Sequence, residues 1–129
     1  MELEKLDLDL INQAEQIIER NFDSEKYYHT VGAAVRSTNG KVYIGVNLDG
    51  IHGSCAEAIA LGAAITAGER GFECIVAVYG KDAPHNVLSP CGNCRQLIAE
   101  IAPQCNVIIQ TGEGYKKVTI AELLPYPCL

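Results

Sequence analysis

The chain has 129 residues, 48% hydrophobic and 20% charged, which suits one globular domain with its own core and excludes a disordered composition. Its formal charge of −6, with no run of Lys or Arg, argues against a surface that tracks a nucleic-acid polymer and favours a small neutral or cationic ligand. No apolar stretch reaches the ~18 residues of a membrane span, and the acidic start Met1-Glu2-Leu3-Glu4 lacks the basic and apolar regions of a signal peptide.

Leu3, Leu6, Leu10, Ala14, Ile17 and Ile18 recur at helical spacing and predict an amphipathic opening helix. Asn21 to Lys26 is polar and reads as loop. Val31 to Arg36 and Lys41 to Asn47 read as strands joined by Asn39-Gly40, a dipeptide favoured where both turn positions need positive φ. Val42, Ile44 and Val46 then share a face and can pack into a core. Two glycines mark Asp49 to Gly53 as loop.

Ser54 to Ala67 is expected to be helical, and so nearly apolar all round that burial on every side follows. Gly68 or Gly71 can end it. Cys74 to Tyr79 reads as a buried strand, Lys81 to Leu88 as loop, and Pro90 to about Ile101 as a third helix stopped by Pro103. Asn106 to Gln110 and Tyr115 to Val118 make five strands in all, and Thr119 to Leu124 a short last helix. Strand, helix and strand over 74–110 form a βαβ unit with parallel strands, while the first hairpin is antiparallel. The expected fold is α/β: a mixed five-stranded sheet in a three-layer α/β/α arrangement, with residues 1–129 as one domain.

Two stretches carry chemistry: Cys55-Ala56-Glu57 and Ser89-Pro90-Cys91-Gly92-Asn93-Cys94. Each has a plain structural reading. Ser54 and Glu57 fit a capping box, and Ser89-Pro90 fits an N-cap followed by a first helical residue. Cys91-x-x-Cys94 alone also fits a redox pair or two buried thiols. Together they place three Cys at two predicted helix starts, where free N–H groups favour thiolates. Three Cys ligands leave one corner of a tetrahedral zinc open, as catalytic rather than structural sites do. A water at that corner becomes a usable nucleophile near neutral pH, and Glu57 is close enough in sequence to carry its proton. The remaining Cys74, Cys105 and Cys128 are an odd set that cannot pair fully within one chain, so a reduced, cytoplasmic setting is expected.

Gly45-Val46-Asn47, Cys55-Ala56-Glu57 and Ser89 to Gln96 resemble the motifs of the cytidine deaminase superfamily. Over roughly residues 30 to 125 the chain resembles the small cytidine and blasticidin S deaminases. Val31-Gly32-Ala33-Ala34 matches their first core strand and Glu122-Leu123-Leu124-Pro125 their C-terminal end. The resemblance implies zinc on Cys55, Cys91 and Cys94, and Glu57 as the catalytic proton carrier. It also implies hydrolytic deamination of cytidine or deoxycytidine, and a homotetramer with sites completed across subunits. Cys-x-Glu is the form of the free-nucleoside branch, whereas members acting on polynucleotides usually carry His-x-Glu.

The departures concern substrate. Asn47-Leu48-Asp49-Gly50 stands where the cytidine deaminases usually hold ribose with Asn-x-Glu-Asn, and the segment up to Cys55 is shorter than theirs. His29 aligns with a Phe that often stacks on the pyrimidine, and Ala58 stands where Arg is common. The shortened segment and Ala58 are closer to the blasticidin S type, so the same chemistry on blasticidin S or another modified aminopyrimidine is the alternative. A zinc-binding module without turnover and a thiol oxidoreductase are alternatives of other classes. Asn47, Asp49, His29 and His52 are candidate substrate contacts. Against that, Asn47 and Asp49 also read as strand end and turn, and the histidines as incidental. Ser89, Arg95 and Gln96 are expected to support the ligands, with Arg95 offsetting part of the thiolate charge.

Overall fold

In the computed structural model, which describes residues 1–129, α1 (Lys5–Asn21) precedes β1 (Val31–Ser37) and β2 (Val42–Val46). Then come α2 (Ala56–Thr66), β3 (Phe72–Tyr79), β4 (Asn86–Leu88), α3 (Gly92–Ile101), β5 (Asn106–Thr111), β6 (Gly114–Thr119) and α4 (Ile120–Leu123). The strands form one mixed sheet in the order β2-β1-β3-β5-β6, with β4 also paired to β3. Only β3 and β5 run parallel, as the βαβ pattern requires.

The sheet therefore has six strands, not five. The stretch expected to be loop supplies the extra one: Asn86, Val87 and Leu88 pair with Tyr79, Val78 and Ala77. Three residues are too few for periodicity to reveal. Because β4 takes that end of the β3 edge, β3 meets β5 only at Cys74↔Asn106 and Ile75↔Val107. β4 also carries the chain directly into Ser89-Pro90-Cys91.

Alternate strand residues face opposite sides, and both sides are apolar, so the central strands read as unbroken hydrophobic runs. Ala34, Cys74, Val76, Val78 and Ile108 pack with Leu10, Ile11, Ala14 and Ile18 of α1. On the other side Ala33, Val35, Ile75, Ala77 and Val107 pack with Ala56, Ala60, Leu61 and Ala64 of α2 and with Ile98 of α3. The three layers are those expected. Gly32 and Gly45 set how closely the helices approach: an added Cβ would lie 2.8 Å from the Ala14 carbonyl oxygen and 2.7 Å from the Ala60 nitrogen. Any larger residue forces the backbone apart. Since Gly45 lies two residues before Asn47, this contact also fixes where the end of β2 sits.

The first turn of α1 departs from the predicted face. Leu6 is exposed and Asp7 fully buried. The Asp7 carboxylate accepts from the Glu4 N–H at 2.8 Å, from Lys117 Nζ at 2.8 Å and from Arg36 Nη2 at 3.0 Å. Arg36 Nε also donates to Glu73 at 2.8 Å. An ionic cluster thus ties α1 to β1, β3 and β6, and it occupies the position that helical periodicity assigns to an apolar residue.

The hairpin turn also differs from the two-residue form. Ser37 and Lys41 bracket a three-residue loop, Ser37 N–H donating to the Lys41 oxygen at 2.9 Å and Gly40 N–H to the Ser37 oxygen at 2.9 Å. Only Gly40 has positive φ, 90°. On β2, Ile44 remains exposed while Val42 and Val46 pack against the α1 cluster.

α2 and α3 start later than predicted, with Cys55 and Cys91 rather than Ser54 and Ser89 as N-caps. Ser54 instead pairs with Leu48 through two backbone hydrogen bonds of 2.9 and 3.0 Å. Gly68, at φ 102°, ends α2 as expected. One face of α2 is buried, but Gly62, Ala63 and Thr66 are exposed in the single chain, contrary to the expectation of burial all round. No helix is long and apolar enough to cross a membrane.

Candidate active site

Both helices that begin at a cysteine begin beside one cavity. Cys55 and Cys91 hold extended N-cap conformations, and neither uses its side chain to cap. Their thiols stand at two helix starts, where the first N–H groups have no partner within the helix. Cys94 follows one turn into α3 and is buried. The three Sγ atoms lie within 4.8 Å of one another, and Cys55 Sγ is 3.7 Å from Cys91 Sγ. A tetrahedral zinc with sulfur at ~2.3 Å holds its ligands about 3.8 Å apart, so these thiols fit zinc. All six cysteines are free thiols, with Cys74 and Cys105 in the core and Cys128 exposed in the tail.

Burial pushes the Cys91 thiol up, but the Cys94 and Asn93 N–H groups and the neighbouring thiols bring it below its ordinary value. Cys55 and Cys94 are both raised, burial being the main cause; Cys91 and Glu57 add to it at both, while a hydrogen bond with Cys94 partly offsets it at Cys55. Coordination of a divalent cation reverses such a balance, because a metal-bound thiol gives up its proton.

Glu57 lies in the first turn of α2, only 7% exposed. Burial raises its carboxyl above the usual range, an effect partly offset by its own backbone N–H and by Cys94. It opens onto a cavity of about 450 Å³ that Cys55 and Cys91 also line. That combination of an acid and a cluster of thiols beside one open-mouthed cavity is a reaction site in outline.

Of the other residues singled out from sequence, Asn47, His52 and Ser89 line this cavity. His29 and Asp49 do not; they are partly exposed and bonded to each other beside Asn47. The His29 N–H donates to Asp49 Oδ1 at 2.8 Å, and His29 Nδ1 lies 2.8 Å from the Asn47 carbonyl oxygen. Arg95 does not reach the thiols either. Its Nε donates to the Pro90 carbonyl at 2.8 Å and its Nη1 to that of Leu123 at 2.9 Å, so it ties the ligand-bearing segment to the end of α4. Gln96 is engaged elsewhere: its Oε1 accepts from the Cys128 N–H at 3.0 Å and its amide nitrogen donates to the Cys128 carbonyl, pinning the tail to α3.

Sequence reasoning passed over Asn93 and the apolar walls formed by Val31, Leu48 and Leu88. Asn93 had a signal, since it sits between two ligands at a helix start. The walls had none, because a strand-end Val or Leu looks like any core residue.

The wall at Leu48 is a tight hairpin closed on Ser54, and Gly53 within it has φ 47°. A Cβ at Gly53 would lie 2.8 Å from the Leu48 oxygen, so the short loop depends on glycine.

A family model described as the cytidine and deoxycytidylate deaminase zinc-binding region matches residues 5–111. Blasticidin-S deaminase from Bacillus cereus is 39% identical over 127 residues, covering 92% of this chain and 89% of that protein. Cytidine deaminase from Sporosarcina psychrophila is 37% identical over 103 residues, covering 74% and 71%. The crystal structure of cytidine deaminase from Burkholderia pseudomallei superposes with a TM-score of 0.75 at 30% identity, over 94% of this chain and 98% of that one. With two thirds or more of each relative spanned and the thiols and carboxylate of the motif gathered at one cavity, the chain belongs to the cytidine and deoxycytidylate deaminase family.

Proposed function

We propose that this protein hydrolyses the amino group of a free 4-aminopyrimidine nucleoside, converting cytidine or deoxycytidine to uridine or deoxyuridine and ammonia. The observation that carries the reading is the meeting of Glu57 with Cys55, Cys91 and Cys94 at one cavity. Zinc on the three thiols supplies a Lewis acid that makes water reactive near neutral pH. Glu57 removes the proton of the attacking water and delivers it to the ring nitrogen beside C4. Once C4 is tetrahedral, Glu57 takes the proton of the new C4 hydroxyl and passes it to the amine; the C4–N bond breaks, the C4 carbonyl forms and ammonia leaves.

Asn47 is suited to the sugar. Its Oδ1 accepts from the Val31 N–H at 3.0 Å, and its amide nitrogen, in a long 3.4 Å contact with Asp49 Oδ1, keeps a second hydrogen to meet substrate. His52 and Ser89 supply further polar lining, and Asn93 joins them. A zinc-binding module without turnover has no use for a buried carboxylic acid next to the thiols.

We treat residues 1–129 as one deaminase domain acting in the cytoplasm, a setting that suits six free thiols. The acidic charge of −6 speaks against a nucleic-acid polymer as substrate. A homotetramer is the assembly we infer, supported by the small, exposed outer face of α2 at Gly62 and Ala63.

A second reading keeps the chemistry and changes the substrate to blasticidin S. It is favoured by the similarity to the Bacillus cereus blasticidin-S deaminase and by the short Leu48–Ser54 hairpin. Ammonia release by zinc-loaded protein decides between them. We expect turnover of cytidine and deoxycytidine with kcat/KM at least about tenfold above that for blasticidin S. Turnover of blasticidin S alone transfers the assignment to that compound, and release from none of the three contradicts both readings.

A further inference from the structure

The segment between α1 and β1 holds two non-glycine residues in the left-handed region, Tyr27 at φ 58° and His29 at φ 53°. Such conformations persist only where the surroundings hold them, and they concentrate at functional sites. Here the surroundings are specific. Asp23 and Tyr28 are bridged by two backbone hydrogen bonds, and the Tyr27 and Tyr79 hydroxyls meet. His29 is then presented to the end of β2, with its N–H on Asp49 Oδ1 and its imidazole on the Asn47 carbonyl. Because a carbonyl only accepts, Nδ1 carries the hydrogen of that bond.

Asn47 is the residue all of this converges on. Its N–H donates to the Val31 oxygen at 3.2 Å, and its Oδ1 accepts from the Val31 N–H. Its carbonyl takes the His29 imidazole, and its Nδ2 makes a long 3.4 Å contact to the same Asp49 oxygen that accepts from the His29 N–H. Without His29, the Asn47 peptide loses the one side chain holding its carbonyl, just where the chain turns into the Leu48–Ser54 hairpin.

We propose that His29 is a positioning residue: without lining the cavity, it fixes the Asn47 main chain, and with it the amide that meets the sugar side of the substrate. The proposal rests on the reading of this cavity as a nucleoside site. It differs from the role of a residue stacked on the pyrimidine, since His29 does not line the cavity. It also explains the residue type. The position needs a side chain that tolerates positive φ and a short donor, and His and Asn meet both demands whereas Asp lacks the donor. In Asn the Nδ2 atom lies the same number of bonds from Cα as Nδ1 does in His.

Three variants separate the backbone from the donor: His29→Asn keeps both, His29→Gly keeps only the backbone conformation, and His29→Ala keeps neither. On zinc-loaded protein, His29→Gly is expected to raise KM for the nucleoside about tenfold with kcat within about threefold of wild type. His29→Asn should restore KM to within about threefold, and His29→Ala should be the weakest binder. Amide exchange at Leu48 and Ser54 should follow the same order, fastest in His29→Ala and near wild type in His29→Asn. Wild-type KM in His29→Gly overturns the proposal, as does His29→Asn no better than His29→Gly, or a fall in kcat at unchanged KM. If wild-type protein turns over no aminopyrimidine, the proposed function fails. The exchange comparison then still decides for His29, and equal rates in His29→Gly and His29→Asn overturn its role.

Discussion

The Glu57→Gln protein is expected to bind zinc as fully as wild type and to turn over about 10³- to 10⁴-fold more slowly. Gln has nearly the shape of Glu and leaves the first turn of α2 in place, so Cys55 stays where it is. What is lost is the ability to take a proton and return it. The proposed cycle uses that ability twice, once for the attacking water and once for the departing amine. Metal analysis alongside single-turnover kinetics separates the two possible causes of a low rate. A near-normal rate at full zinc occupancy removes Glu57 from its role, and loss of zinc means that its carboxylate helps hold the metal.

The second large effect is on stability. Asp7→Asn is expected to lower the unfolding free energy by about 3–5 kcal/mol, because it leaves Lys117 and Arg36 buried without their shared partner. Burial acts to raise the Asp7 carboxyl. The Glu4 N–H, Lys117 and Arg36 outweigh it and hold the group below its ordinary value. A carboxyl depressed in the folded state contributes stability that is present above its unfolded pKa, ~3.9, and is lost as pH falls through the folded value. The gap between wild type and Asp7→Asn in urea unfolding should therefore be full at pH 7 and shrink below about pH 4. A gap that does not narrow in acid contradicts this account. Replacing Asp7, Arg36 and Lys117 together by apolar residues of similar size should recover most of the loss. kcat should not change in Asp7→Asn, since Arg36 lies near the far end of β1 from Val31, which lines the cavity.

Asp7 also shows where the sequence misleads. The 3.6-residue period found the apolar face of α1 at Leu10, Ala14 and Ile18, but it assigned the first turn to Leu6. Partners on β1 and β6, 29 and 110 residues away in the chain, bury the carboxylate instead. β4 failed to register for a related reason. Its three residues are held by pairing with β3, not by any pattern of their own.

The cluster of three thiols is legible in the sequence because the geometry that gathers it is local. Cys91 and Cys94 share one helix turn, and Cys55 starts another helix that packs on the same sheet face. Substrate contacts were less legible, because which residue reaches the cavity depends on the turn after β2. Asn47 and His52 reach it, while Asp49 spends its oxygen on the His29 N–H. Arg95 was placed next to the thiolates by adjacency to Cys94, yet on a helix neighbours in sequence point roughly 100° apart. Its guanidinium meets the Pro90 and Leu123 carbonyls instead. The outer face of α2 looked like core because Gly and Ala are common in cores, and an exposed strip of them in one chain has the same composition.

Hydrolysis at the amino-bearing carbon is read out by turnover in ¹⁸O-labelled water. Zinc-loaded protein supplied with cytidine should release one ammonia per uridine formed, with one labelled oxygen in each uridine, at C4. Uridine without label, or label without matching ammonia, would contradict direct attack of water on C4 and the part given to Glu57 in it.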